Sequence, residues 1–168
     1  YFFVWTENRA AKNLFTNGVL PSLRSGEQRS QAEDSKILLR PFEKHIVGAE
    51  NIPESGPLLV IANHWKEGPY RSYWTHLLVS RAVAAKRGQD VRWITQNKLF
   101  FQGTQVDFPL SANFCQLLAR SYNLFPVMPP VIRQGQNGGS VDAALRIARS
   151  FTRGDVVGLY PEAKQSIK

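Results

Sequence analysis

Leu58-Leu-Val-Ile-Ala62 is the stretch of sequence that decides the fold. It is a short apolar run, closed on one side by Ser55-Gly-Pro57 and on the other by Asn63-His64. An apolar run of this length between turn residues is typical of a buried strand. The polar residues that follow it therefore lie where a buried strand ends.

Helical and extended patterns alternate along the rest of the chain. Apolar residues with helical spacing predict helices over 72–87, from Ser111 and from Ser140, each serine being placed at a helix start. Gly88 and Gly154 follow two of these helices, where a left-handed cap is favoured. Further strands are predicted over 91–95, 124–128 and 156–160. This alternation predicts an α/β fold with a mostly parallel sheet and helices on both of its faces.

The helix that opens at Ser140 has one strongly apolar face. Val141, Leu145, Ala148 and Phe151 recur along it with helical spacing. The pattern predicts that this face packs on the sheet.

The N-terminal part of the chain has a different composition. Residues 24–35 are mostly polar, which predicts a linker or an exposed turn. We therefore expect residues 1–35 to be an appendage with its linker, and residues 36–168 to be the main domain, truncated near its C-terminal end. The first two dozen residues have two interpretations, a short helix in a lipid interface or packing on the main domain.

The charge balance favours anionic partners. Lys and Arg number 21 against 13 Asp and Glu, a formal net charge of +8. Nucleic acid, phosphorylated metabolites and an anionic lipid surface would all fit this charge. The sequence holds no apolar run near the roughly 18 to 20 residues that span a bilayer and no secretory signal. The expectation is a cytoplasmic setting, and the single cysteine, Cys115, allows no internal disulfide.

Ligands of parallel sheets bind beyond the carboxyl ends of the strands. This rule selects Asn63 and His64 after the first strand, Lys98 after the second, Arg133 after the third and Glu162 after the last. An imidazole at a strand end is well placed to act as a general base. A histidine in this position can also be a hydrogen-bonded structural residue.

The sequence predicts no metal ion, no cofactor and no nucleic-acid partner. His45 and His76 lack the clustered ligands that a metal site needs. Gly138-Gly139 lacks the lysine and the further glycines of a phosphate-binding loop. Aromatic residues accompany the basic charge, but no groove-reading helix or RNA-binding signature is present.

Three segments carry a more specific signal. They are the run from Gly48-Ala-Glu-Asn to Ala62-Asn-His64, the strand Phe125-Pro-Val127, and Leu159-Tyr-Pro-Glu162. In order and spacing they resemble the motifs of the glycerolipid acyltransferases, the family that includes lysophosphatidic acid acyltransferase. The similarity extends from about Phe42 to Ser166.

The resemblance implies a glycerol-3-phosphate acyltransferase-like fold and a peripheral protein on the cytoplasmic face of a membrane. It also implies transfer of an acyl chain from acyl-CoA or acyl carrier protein to a hydroxyl of a lysophospholipid or a related glycerolipid. Neither a metal nor a covalent enzyme intermediate would take part. His64 would take the proton from the hydroxyl.

The loop after His64 departs from the family pattern. The family has an aspartate five residues after the histidine, which holds the ring, and this chain has Pro69 there. Glu67 is the nearest substitute, although it can equally be a solvated turn residue, and a backbone carbonyl could hold the ring instead. Arg71 in the same loop is a candidate for binding a phosphate of the acceptor.

The other two motifs depart from the family as well. Met128-Pro129 stands where the family has Asp-Arg, so Arg133 or Lys98 would have to bind the acceptor's phosphate. Ala163-Lys-Gln-Ser166 stands where the family has Gly-Thr-Arg-Ser, so Lys164 would supply the positive charge and Glu162 would organise the site. These changes leave two hypotheses, an active acyltransferase and a homologue that binds lipid or acyl thioester without turnover.

Overall fold

In the described part of the chain, four parallel strands form a sheet in the order β1-β4-β2-β3. A computed structural model describes residues 9–40, 43–63, 72–98, 109–127 and 138–161. The strands are β1 (Leu58–Ile61), β2 (Val91–Gln96), β3 (Phe125–Val127) and β4 (Val156–Leu159). The α/β class and the parallel sheet predicted from the sequence are confirmed.

Helices precede and connect the strands. The N-terminal group is α1 (Arg9–Leu14), a π-helical turn (Phe15–Val19), α2 (Leu20–Ser25) and α3 (Gln31–Leu38), and a 3-10 turn (Ala49–Asn51) comes before β1. The connecting helices are α4 (Ser72–Arg87), α5 (Ser111–Ser121) and α6 (Gly138–Thr152). The predicted bounds of α4 are confirmed, and Gly88 after it is left-handed at φ 67°.

Two neighbouring residues of β2 show that α4 and α6 lie on opposite faces of the sheet. The Trp93 indole N–H donates to Ser80 Oγ on α4 at 2.8 Å. The Arg92 guanidinium donates to Ser150 Oγ on α6 at 2.9 Å. Since successive residues of a strand point to opposite faces, the sheet has a helix on each side.

The Trp93 side chain is the centre of the core on the α4 face. It is buried with Val83, Val91 and Val156. Gly158 of β4 is the register partner of Trp93, and a Cβ built on it would lie 2.4 Å from the indole Cε3. The indole therefore fits over β4 because Gly158 has no side chain.

A polar cluster joins the elements on the α6 face. Arg92 donates to Asp155 Oδ2 at 2.8 Å, and its Cζ lies 4.2 Å from the ring centroid of Phe125. Asp155 also accepts hydrogen bonds from Ser150 and Arg153. Burial alone would raise the pKa of Asp155, but the hydrogen bonds from Ser150, Arg92 and Arg153 outweigh it, and the pKa is lowered.

The predicted exposed linker over 24–35 is wrong in its second half. Residues 31–35 form the first turns of α3, and Gln31, Ala32, Asp34 and Ser35 are buried there. The Asp90 carboxylate accepts the backbone N–H groups of Gln31 at 3.1 Å and Ala32 at 3.0 Å. The polar residues of this segment therefore cap the helix or form buried hydrogen bonds. Composition alone does not distinguish these residues from polar residues exposed to solvent.

A half-buried ion pair at the start of α3 is joined to the end of α5 by Tyr122. Arg29 Nε donates to Asp34 Oδ2 at 2.8 Å, and the Tyr122 hydroxyl donates to the same oxygen at 2.6 Å. The hydrogen bond to Asp34 raises the pKa of Arg29, while burial and Asp34 together raise the pKa of Tyr122. The described part of the N-terminal segment therefore packs on the rest of the protein, and 1–8 lie outside the described residues.

Helix α6 packs on the sheet with a different face from the one predicted. Ala143 and Ser150 are buried, whereas Val141 and Leu145 are 61% and 51% exposed. The physical reason is the polar cluster, because Ser150 has to reach Arg92 and Asp155. The more apolar stripe of the helix consequently points away from the sheet.

Two helix starts also differ from the prediction. Leu110 occupies the cap position of α5 with φ 60°, and the predicted cap Ser111 is the first helical residue. Helix α6 begins at Gly138, before the predicted Ser140. Local propensity favours serine at a cap, but it fixes a helix end only to within one or two residues.

Replacing Gly158 by alanine is expected to destabilise the protein by about 2 kcal/mol, because the added methyl overlaps the Trp93 indole. Urea denaturation measures the change. Combining Gly158→Ala with Trp93→Leu should cost less than the sum of the two single changes, since the smaller side chain makes room. An unfolding midpoint of Gly158→Ala equal to that of the wild type would contradict the close packing.

Acid should destabilise the protein partly through Asp155. Its pKa is lower in the folded chain than the ordinary 3.8, so its contribution is fully present above about pH 5 and is lost as the pH falls through the folded pKa. Asp155→Asn should therefore lower stability at neutral pH and make it fall less between about pH 5 and pH 3. Asp142→Asn is the charge-matched control, since it removes an exposed carboxylate of α6. Parallel acid profiles of Asp155→Asn and wild type would refute this role.

Candidate functional site

The four strands end together at one edge of the sheet, which we call the carboxyl edge. The last residues of the strands are Ile61, Gln96, Val127 and Leu159. Since all the strands are parallel, the segments that follow them start from this edge. The candidate site is built from these segments.

The strands β1 and β4 lead to two of the predicted site residues. Ile61 is in register with Leu159, and the Ala62 N–H donates to the Leu159 carbonyl at 3.1 Å. The pairing therefore continues beyond the end of β1, next to Asn63, which is exposed. His64 and Glu162 come shortly after these two paired strands, and both lie outside the described residues.

The strand β2 brings Lys98 to the same edge. The Asn97 N–H donates to the Val127 carbonyl at 2.8 Å, which holds the end of β2 against β3. Lys98 comes next and is half-buried. Since β4 lies between β1 and β2, Lys98 and Asn63 stand on either side of the end of β4.

The structure describes two of the predicted site residues. Of the residues that the sequence analysis selected, the structure describes Asn63 and Lys98. The others lie outside the described residues, and their roles stay predictions; they are His64, Glu67, Arg71, Arg133, Glu162 and Lys164.

An aromatic cluster that the sequence analysis missed lies beside the carboxyl edge. Tyr160, directly after β4, stacks on Trp93 with ring centroids 5.2 Å apart. His76 of α4 contacts the same indole at a centroid distance of 5.7 Å. The three rings form an aromatic wall on the α4 side of the edge, and Tyr160 is two residues before Glu162 in the sequence. Among the described residues, the sequence motifs contained only Tyr160 of this cluster. The contact between the three rings depends on the strand order, which the sequence does not predict.

A buried hydrogen-bond acceptor also lies at this edge. Asn97 Oδ1 is one of two buried side-chain polar atoms without a hydrogen-bond partner among the described residues, and the other is Arg87 Nε. Leaving such an acceptor unpaired costs about 1–3 kcal/mol. A ligand that donates a hydrogen bond to Asn97 would be stabilised by removing this penalty.

The described side chains constrain the chemistry of the site. Within the described ranges, no group of three or more His, Cys, Asp or Glu could hold a metal ion. Cys115 is buried, and burial raises the pKa of its thiol, which disfavours the thiolate that a cysteine nucleophile needs. No helix in the described parts is long and apolar enough to cross a membrane.

The carboxyl edge thus carries one exposed amide, one half-buried lysine and an aromatic wall, and a histidine and a carboxylate follow two adjacent strands in the sequence. Comparison of the chain with family models, with curated proteins and with solved structures found no match in any of the three.

Proposed function

We propose that this protein is an O-acyltransferase of glycerol-3-phosphate acyltransferase-like fold. It moves a fatty acyl chain from acyl-CoA or acyl carrier protein to a hydroxyl of a lysophospholipid or a related glycerolipid. The pairing of β1 with β4 is the observation that carries this proposal, because Ile61 opposite Leu159 makes the strands before His64 and Glu162 neighbours. Two motifs that are far apart in sequence therefore start from adjacent strand ends, as a shared site requires.

His64 acts as the general base of the transfer. One ring nitrogen takes the proton from the acceptor hydroxyl while the oxygen attacks the thioester carbonyl. A carbon–oxygen bond forms, the carbon–sulfur bond breaks, and the departing thiolate receives the proton from His64. The reaction balances without a metal and without an acyl-enzyme.

The second ring nitrogen of His64 needs an acceptor that fixes the tautomer. Pro69 has no side-chain acceptor at the position of the family's aspartate. Glu67 takes this role in the proposed mechanism.

Cationic side chains of the loops bind the phosphate groups of the two substrates. Lys98 stands at the carboxyl edge, and Arg71, Arg133 and Lys164 belong to the segments that follow the other strands. Glu162 organises the site, and Asn63 contributes to substrate binding. The net charge of +8 also favours an anionic surface. The location proposed with this function is the one that the family resemblance implies, a peripheral protein on the cytoplasmic face of a membrane.

Replacing His64 by alanine is expected to lower turnover by about 10²- to 10⁴-fold, the usual contribution of a general base. The measurement is thiol release from a long-chain acyl-CoA in the presence of mixed lysophospholipids. His45→Ala is the matched control, because His45 is an exposed histidine beside Glu43, and it should keep wild-type turnover.

Two results would count against this mechanism. Equal loss in His64→Ala and His45→Ala would indicate a general effect of removing histidine. Absence of thiol release by the wild type, with retained acyl-CoA binding, would favour the homologue that binds without turnover, to which the replacement by Pro69 already points.

Glu67→Gln is expected to lower kcat by about tenfold to a hundredfold with little change in KM, because the imidazole loses its charged acceptor. Adding Pro69→Asp to Glu67→Gln should restore part of the loss, since it returns a carboxylate to the family's position. Pro69→Asp alone controls for the proline. Wild-type kcat in Glu67→Gln would indicate that a backbone carbonyl holds the ring.

A further inference from the structure

The Trp93 side chain contacts two elements that are far apart in sequence. On α4, Ser80 Oγ accepts the indole N–H at 2.8 Å, and the ring centroid of His76 lies 5.7 Å from that of the indole. After β4, the Tyr160 ring stacks on the indole with centroids 5.2 Å apart and an angle of 22° between the planes. The indole is 3% exposed, so these contacts belong to the core.

The two elements adjoin the segments that carry the proposed site residues. Helix α4 begins at Ser72 and follows the segment that carries His64. Tyr160 is two residues before Glu162. One buried side chain therefore contacts both the helix that follows the first motif and the residue that leads into the carboxylate of the third.

The chain is stiff between Tyr160 and Glu162. Pro161 stands between them, and its ring fixes its own φ and restricts Tyr160 to extended conformations. Stacking on the indole holds the Tyr160 ring. Few dihedral angles remain free between the stacked ring and position 162. The direction in which the third motif leaves the sheet therefore depends on this stack.

The position of the indole is fixed from two sides. Gly158 of β4 would place a Cβ 2.4 Å from the indole Cε3, so the ring lies close to the β4 backbone. Ser80 is buried and accepts the indole N–H. Turning the ring would leave a buried donor without a partner, which is costly. The indole consequently links the position of α4 to that of Tyr160.

We propose that Trp93 is a positioning residue of the site, which holds the segments of the first and third motifs in a fixed relation at the carboxyl edge. It acts through Ser80 and His76 on one side and through Tyr160 on the other. This role rests on the proposed function, because only a site built from both segments requires a fixed relation between them. A displacement of about 1 Å far from the reacting atoms can slow an enzyme by about a hundredfold.

Replacing Tyr160 by leucine tests this role, because it removes the stack at a half-buried position rather than in the centre of the core. In the thiol-release assay, kcat should fall by about tenfold to a hundredfold. The Kd of acyl-CoA, measured by titration calorimetry, should rise by only about threefold, through the displacement of Lys164 in the same segment.

Tyr160→Phe is the conservative variant, since it keeps the ring that stacks on the indole. Its kcat should stay within about twofold of the wild-type value. Loss of kcat as large as in Tyr160→Leu would assign the effect to the hydroxyl group and overturn the role of the stack.

Val83→Ala separates positioning from stability. Val83 lies in the same buried cluster as Trp93, and its replacement leaves the three rings in place. It should lower the midpoint of urea unfolding and leave kcat and Kd at wild-type values. Trp93→Phe, which loses the N–H that binds Ser80, should lower the midpoint and also reduce kcat by about tenfold. Equal loss of kcat in Val83→Ala and Tyr160→Leu would refute the positioning role.

The wild type and Tyr160→Leu together keep the two proposals apart. Wild-type kcat and Kd in Tyr160→Leu, beside an active wild type, would overturn the positioning role and leave acyl transfer in place. Acyl-CoA binding without thiol release by the wild type would remove acyl transfer, and an unchanged Kd in Tyr160→Leu would then overturn the positioning role too. A wild type that neither releases thiol nor binds acyl-CoA would overturn both proposals.

Discussion

The parallel pairing of β4 between β1 and β2 is the constraint on which the other parts of the structure depend. Val156 and Val157 are buried in the centre of the sheet, and their strand supplies hydrogen bonds to a neighbour on each side. The absence of a side chain at Gly158 lets the Trp93 indole lie against this strand. The indole is fixed in turn by Ser80 of α4. One small residue in the last strand thus determines how the first connecting helix meets the sheet.

Much of the fold could be predicted from local chemistry. The bounds of α4 followed from its apolar spacing and from Gly88, which adopts the left-handed conformation expected after a helix. The four strands could be identified because each is a short apolar run between turn residues. The strand order could not be predicted, since it depends on pairing between segments far apart in sequence.

The features that the sequence did not predict depend on contacts between residues that are far apart in sequence. Gln31 and Ala32 belong to a buried helix because Asp90 accepts their N–H groups. The aromatic wall was missed for the same reason, since Trp93 and Tyr160 meet only when β4 lies beside β2. The candidate strand-end residues, by contrast, could be selected from the sequence, because the carboxyl-edge rule needs only the end of each strand.

The orientation of α6 connects the buried core with the outer surface. Ser150 is buried against Arg92 and Asp155, and this polar contact fixes which side of the helix meets the sheet. Because side chains on a helix keep a fixed angular relation, the same contact directs Val141 and Leu145 outward. A helix oriented by apolar packing alone would have turned those two residues inward, as the sequence pattern suggested. The half-buried Arg92–Asp155 pair therefore links β2 to the start of β4 and at the same time leaves two apolar side chains of α6 exposed.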